Sequence, residues 1–379
     1  MIKDVSARAI YNSRGEKTIR ASVVTDKGSF SAAAPSGKSR GKYETAIVDA
    51  ERSVKQINKI RSFLKGKRED DHDRVDIFLE KFSANISTAV SMACWRASFN
   101  NDVYKFNRTV KQFPFPVGNV IGGGVHGGYA SIQEFLVIPL RARTIKEAIE
   151  TNFSIWRIVG KILSSKGRVA GRNDEGAWIA KMDDLKVLEL LSRVAKEYGA
   201  SIGVDFAASQ LYYGGKYVYR HHFKRIRQED QIEFVRHLIE TYKLVYVEDP
   251  FHENDFGSFH ELTRKTKAWI VGDDLYATQP KRISRARRES GGAIIKIDQA
   301  GTVTKAMEVS EIAKLKRMKR VVSHRSGETS DSFISDFSVA IGSELIKCGV
   351  AGGERVEKLN RLMQIWDEVE SPRMKKLRI

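Results

Sequence analysis

The sequence predicts an α/β protein: a βα barrel over residues 113–379, preceded by a small α+β domain over residues 1–112. Two observations predict it. Short apolar runs recur from Asp205 onward, each ending on a charged or polar side chain: SIGVD at Asp205, LVYVE at Glu248, AWIVGD at Asp273 and GAIIK at Lys296. KRVVSHRS then ends on His324, Arg325 and Ser326, and a last segment brings in Lys347. From Glu248 the steps are 25, 23, 28 and 23 residues, one strand-and-helix unit each. Apolar runs bounded by Gly, Pro and Asp read as strands buried on both faces, and strand–helix alternation reads as a parallel sheet. The second observation is the different grammar of the N-terminal segment, where alternating β-like runs give way to helices.

In chain order, VSARAIYNS, TIRASVVTD and GSFSAAAP are short strands, and the turns at SRG and DKG make an antiparallel meander. PSGKSRGKYE, Pro35 to Glu44, has no apolar periodicity and reads as a mobile loop able to reach a ligand. From Ala46 to Arg108 the pattern is helical. SANISTAVSMACWRASF, rich in small residues, reads as a closely packed helix. FPFPVGN, Phe113 to Asn119, marks the domain boundary, because its prolines stop any helix. Gly122 to Gly128 must be a loop, and QEFLVIP a strand that begins with Gln133 and Glu134. A helix follows from Thr144 to Ser164. RNDEGAWIA holds Glu175 in a polar loop, and DLKVLELLSRVAKEYG is an amphipathic helix ending at Gly199. FGSFHELTRKT and PKRISRARRES supply helices between the later strands.

Composition bounds the class. The longest apolar runs fall far short of the roughly 20 residues of a membrane-spanning helix, and the N-terminus has no secretory pattern. Cys94 and Cys348 are the only cysteines, which points to a reducing cytoplasm without a disulfide framework. The formal charge is +18. It raises nucleic acid or an anionic substrate as partners. The dispersal of the basic residues favours a generally basic surface instead. The densest clusters are Lys65–Arg68, Lys281–Arg288 and Lys314–Arg320, the last two expected on helices.

The strand ends of a βα barrel carry its chemistry. Asp205, Glu248 and Asp273 on successive strand ends form an oxygen-only set that suits a hard cation, Mg²⁺ above all. Lys296 and Lys347, at apolar strand ends near other cations, are expected to have lowered pKa values and to serve as bases. A metal beside a lysine base suggests removal of a proton α to a carboxylate. Glu175 and Glu134 are then candidates to protonate a leaving hydroxyl. Arg325 and Ser326 suit a phosphate or a second carboxylate.

Nearly the whole chain resembles the enolase family. The resemblance rests on ARAIYNSRG, PSGKSRG, GGGVHGGYASIQEF, NDEG, VDFAAS, VEDPF, VGDDLYATQPKRI, IIKIDQAGT, SHRSGET with DSFISD, and GERVEKLNRL. It implies a barrel whose first hairpin is antiparallel, and dehydration of 2-phosphoglycerate to phosphoenolpyruvate with two Mg²⁺ ions, the second arriving with substrate. It implies metal ligation by Asp205, Glu248 and Asp273, with Lys296 as the base and Lys347 on the substrate carboxylate. Glu175 is implied as the acid, Glu134 as its partner, and His126 as the loop histidine beside the substrate. His324, Arg325, Ser326, Gln133 and Ser39 are the implied substrate contacts, and a homodimer or higher homo-oligomer the implied assembly. Asn12 stands where the family has Asp, and Lys38 and Arg40 replace small or hydroxyl residues around Ser39. These departures leave open a related lyase acting on another acidic carboxylate. The charge alone leaves open a non-catalytic nucleic-acid-binding relative.

Overall fold

A computed structural model describes residues 1–38, 41–220, 224–287 and 291–377. The chain opens with the antiparallel meander: β1 (Ile2–Tyr11), β2 (Lys17–Thr25) and β3 (Gly28–Ala33). Along β2 the side chains of Ile19, Ala21 and Val23 are buried while Arg20 faces out, the alternation of a sheet covered on one side. Its cover is the helix Ala84–Phe99, whose run of Ala and Ser lets it lie close on the strands. That helix stops at Asn100, which takes a left-handed φ of 52°.

Among the described residues eight strands close into a barrel. In chain order they are β4 (Phe115–Gly122), β5 (Glu134–Ile138), β6 (Ser201–Asp205) and β7 (Tyr246–Glu248). Then come β8 (Trp269–Gly272), β9 (Gly292–Ile295), β10 (Lys319–Ser323) and β11 (Leu345–Gly349). Closure comes from β11 pairing parallel to β4, with Lys347 opposite Val117. β5 alone runs antiparallel to both neighbours, as the resemblance implies. This reversal puts Glu134, at the start of β5, opposite Asp205, at the end of β6. Helices such as Ile145–Ser165 and Val303–Leu315 pack outside, each capped by a threonine hydroxyl that accepts a backbone N–H.

Three expectations need correction. PKRISRARRES is helical only over Pro280–Ile283, and residues 288–290 lie outside the described residues. The cluster Lys314–Arg320 is not a helical face: the helix ends at Leu315, and Arg320 lies inside β10, buried against Glu344. The Glu175 loop is the turn of a small hairpin, Val169–Arg172 with Trp178–Ala180, that extends the barrel sheet at β4. No helix among the described residues is long and apolar enough to cross a membrane.

Candidate active site

The strand ends converge as the spacing predicts. Lys347 reaches in from β11, its Nζ 2.9 Å from Glu134 Oε2, 3.0 Å from Asp205 Oδ2 and 2.9 Å from Glu248 Oε1. Asp205 also accepts the backbone N–H of Ala207 at 2.9 Å and the Gln133 amide at 3.4 Å. The Tyr246 hydroxyl donates to Glu248. Asp273, just past β8, accepts from Lys296 Nζ and, at 3.0 Å, from Gln299 Nε2. Asp249 fixes the Asp273 loop from behind. Its carboxylate accepts the backbone N–H of Asp273 at 2.9 Å and of Asp274 at 2.7 Å, and its own φ is 39°.

Burial, with the Asp205 carboxylate next to it, pushes Glu248 up to about 8. The expected lowering of the two lysines is not found. Burial, the largest single cause, lowers both amines, but the surrounding carboxylates together outweigh it: Asp273 with Glu248 among others at Lys296, and Asp205, Glu134 and Glu248 at Lys347. Both lysines are therefore held above the ordinary lysine value, because their nearest neighbours are carboxylates rather than cations.

A second set of groups meets beside the first. Ligand atoms of His126, Glu134 and Glu175 all lie within 4.8 Å of one another. Asn119 donates to Glu175 Oε2 at 2.8 Å, and His324 Nε2 lies 3.8 Å from the same oxygen. Burial, then Arg355, drives His324 well below the ordinary histidine range, so it is neutral and this contact is not an ion pair. Glu134 is raised, by burial first and the Glu175 charge second. At Glu175 burial acts upward, but the basic groups around it, His126 foremost, outweigh that and hold it low. These causes favour the proton on Glu134 over Glu175 within the pair, while the resemblance implies Glu175 as the acid.

The third side is basic. Arg325 Nη2 lies 2.9 Å from Glu44 Oε2, and its Nε lies 3.4 Å from Asp298. Gly37 passes so close that a Cβ there would sit 1.9 Å from Arg325 Nη2, so any larger residue would have to push the guanidinium aside. Ser326 Oγ accepts the backbone N–H of Lys38 at 2.8 Å, while Lys38 Nζ lies 3.1 Å from Asp174, next to Glu175. Ser39 lies outside the described residues. Buried Arg355 ties these pieces together, donating to His324 Nδ1 and to the carbonyls of Arg325, Ser326 and Asp174.

One cavity of about 40 Å³ is lined by every predicted residue that is described, except Glu248, which is wholly buried behind Lys347. Sequence reasoning missed Glu44, Asp274, Asp298 and Gln299. The last three lie inside the quoted motifs GDD and KIDQ, so adjacency to Asp273 and Lys296 was the available signal. The chemistry of Asp205, Glu248 and Asp273, buried oxygens held by cationic amines, fits a hard divalent cation. Their ligand atoms do not all converge within 4.8 Å here, since Asp273 turns to Lys296 while the other two turn to Lys347. The grouping of Asp249, Asp273 and Asp274 is tighter, but backbone amides occupy both Asp249 oxygens.

Comparison with known proteins agrees with this geometry. Residues 2–107 match the family model "Enolase, N-terminal domain", and residues 110–375 match "Enolase, C-terminal TIM barrel domain". The chain is 37% identical to an enolase of Archaeoglobus fulgidus and 38% identical to one of Methanosphaera stadtmanae, with 99% of each chain covered. An enolase of Halobacterium salinarum is 38% identical over 97% of this chain and 99% of its own. Matched over both domains and almost end to end, the chain belongs to the enolase family.

Proposed function

We propose that this protein dehydrates 2-phosphoglycerate to phosphoenolpyruvate in the presence of Mg²⁺. The observation that carries the reading is the meeting, in one small polar cavity, of Lys296, the Glu134–Glu175 pair and Arg325. These supply a base, an acid pair and an anion contact, the three functions that the reaction requires.

Lys296, as the free amine, takes the proton from C2. Glu175 and Glu134, sharing one proton beside His126, deliver it to the departing C3 hydroxyl. Arg325 and Ser326 hold the phosphate, with His324 beside them and Ser39 the further contact that the resemblance implies, and Lys347 pairs with the substrate carboxylate. Gln133 steadies Asp205. Asp205, Glu248 and Asp273 would hold Mg²⁺, with a second ion arriving alongside substrate. A bound divalent cation supplies positive charge against the substrate carboxylate, which acidifies the adjacent C–H. Within this reading residues 1–112 cap the barrel of residues 113–379, and the assembly is a homodimer, to be checked by light scattering. The two cysteines are both buried and unpaired, which supports a reducing, cytoplasmic setting.

The test is product formation from 2-phosphoglycerate with Mg²⁺ and with excess EDTA. Turnover only with Mg²⁺ is expected, and turnover unchanged in EDTA would overturn the metal assignment. Lys296→Ala should abolish exchange of the C2 proton with solvent. Glu175→Gln should block elimination while that exchange continues.

A further inference from the structure

The barrel carries a second cavity, of about 360 Å³, at the end away from the catalytic rim. It lies where the short strand Gln112–Phe113 pairs with Arg373–Met374, beside the start of β10. Five cations line it, Lys111, Lys314, Arg320, Arg373 and Lys375, and no carboxylate is among its lining residues. Glu344 lies behind the wall and is shared, 3.2 Å from Arg320 Nη2 and 3.2 Å from Lys375 Nζ. Arg320 spends its other donors on the carbonyls of Ile341 and Gly342, so it forms a fixed cationic base. Arg373 donates its backbone N–H to the Lys111 carbonyl at 2.8 Å, which sets those two residues side by side at the mouth. Among the described residues Lys314 pairs with Glu311 on its own helix, at 3.5 Å with both side chains exposed.

Five like charges stand around one hollow against two carboxylates, Glu344 behind the wall and exposed Glu311, so the hollow keeps an excess of positive charge that favours an anion. Burial, reinforced by Arg320 and Lys314, holds the Lys375 amine below the ordinary lysine value, in keeping with that excess. No aromatic side chain lines the cavity, so it offers no platform for a nucleobase. Flexible amines at the mouth and the guanidinium fork of Arg373 suit phosphate oxygens.

We propose that this cavity binds a small, multiply charged phosphate of the pyrophosphate class. The proposal does not depend on the chemistry at the other rim. The test is calorimetric titration of inorganic pyrophosphate into the full chain with EDTA present, at low and high salt. The same titration is run on Lys111→Ala with Arg373→Ala, and separately on Lys314→Glu, whose exposed site leaves the strand pair intact. Each variant is expected to weaken saturable binding tenfold or more, an effect that shrinks with salt, while turnover of 2-phosphoglycerate stays within twofold of the parent. Isotherms identical to the parent's would overturn the proposal, since pyrophosphate would then be held at the catalytic rim. Displacement by sulfate at equal ionic strength would also overturn it, as would binding of a polynucleotide but not of pyrophosphate.

Discussion

Arg355 shows how much of the site rests on a side chain that touches no reacting atom. It is wholly buried, and its donors join His324 to the backbone of Arg325, Ser326 and Asp174. Arg355→Leu would take the side-chain donor from the carbonyls of Arg325 and Asp174, while Ser326 keeps the Ser13 hydroxyl, at roughly 1–3 kcal/mol for each buried group left unpaired. Removing its charge should also let His324 rise toward the ordinary histidine value, although burial, the larger cause, remains. The expected outcome is a tenfold or greater loss of turnover, partial recovery in Arg355→Lys, and a His324 ring resonance that titrates at higher pH by NMR. An unchanged His324 titration would mean that Arg355 is only a packing residue. Asp205, Glu248 and Asp273 are legible in the sequence because a carboxylate that ends an apolar strand is unusual. Arg355 is not, because GERV looks like any helix start. Likewise the sign of the lysine shifts depends on which carboxylate lies nearest in space, and no spacing along the chain reveals that.

At the scale of elements, the Glu175 hairpin is held by its neighbours rather than by its own short strands. The Asn173 side chain accepts the backbone N–H groups of Glu175 and Ala177, both at 3.0 Å. Trp156, on the outer helix, donates its indole N–H to the Gly176 carbonyl at 3.0 Å and stacks on Trp178 at 4.7 Å. Gly160 leaves the room that the Trp178 ring occupies. Trp156→Phe keeps an aromatic ring and removes one hydrogen bond, so it should lower stability by about 1 kcal/mol. If the bond positions Glu175, elimination should slow severalfold while C2 proton exchange keeps its rate. Equal slowing of both steps would point to a general loosening instead. The barrel strands are legible because burial on both faces writes continuous apolar runs. The helix expected at PKRISRARRES fails for a related reason: its basic residues carry no apolar stripe, and after Ile283 there is little face left to pack.

Barrel closure joins Phe115 to Leu345 across most of the chain, so only the repeat count hints at it. The same closure gathers the acidic rim, and that has a consequence for the whole molecule. Burial raises several carboxyls near the site, among them Glu248 to about 8, Asp274 to about 7 and Asp298 to about 6. A carboxyl whose folded pKa exceeds its unfolded value holds its proton more tightly when folded. Its contribution is complete below the unfolded pKa and is lost as pH rises through the folded one. The metal-free protein should therefore lose thermal stability between about pH 6.5 and pH 8, where Asp274 and Glu248 titrate, while below that the lowered histidines His72 and His324 act in the opposite direction. Mg²⁺ favours the ionised carboxylates, so saturating metal should flatten the decline and raise the melting point most at pH 8. At a hundred times its dissociation constant a ligand adds about 2.7 kcal/mol to the folded state. Asp273→Asn keeps the shape of the loop and removes one carboxylate of the proposed cation site, so it should lose most of that gain. Melting curves at four pH values, with EDTA and with Mg²⁺, separate the outcomes. A metal-free melting point that rose toward pH 8 would contradict the raised carboxyls, and an equal Mg²⁺ gain in Asp273→Asn would move the cation away from this rim.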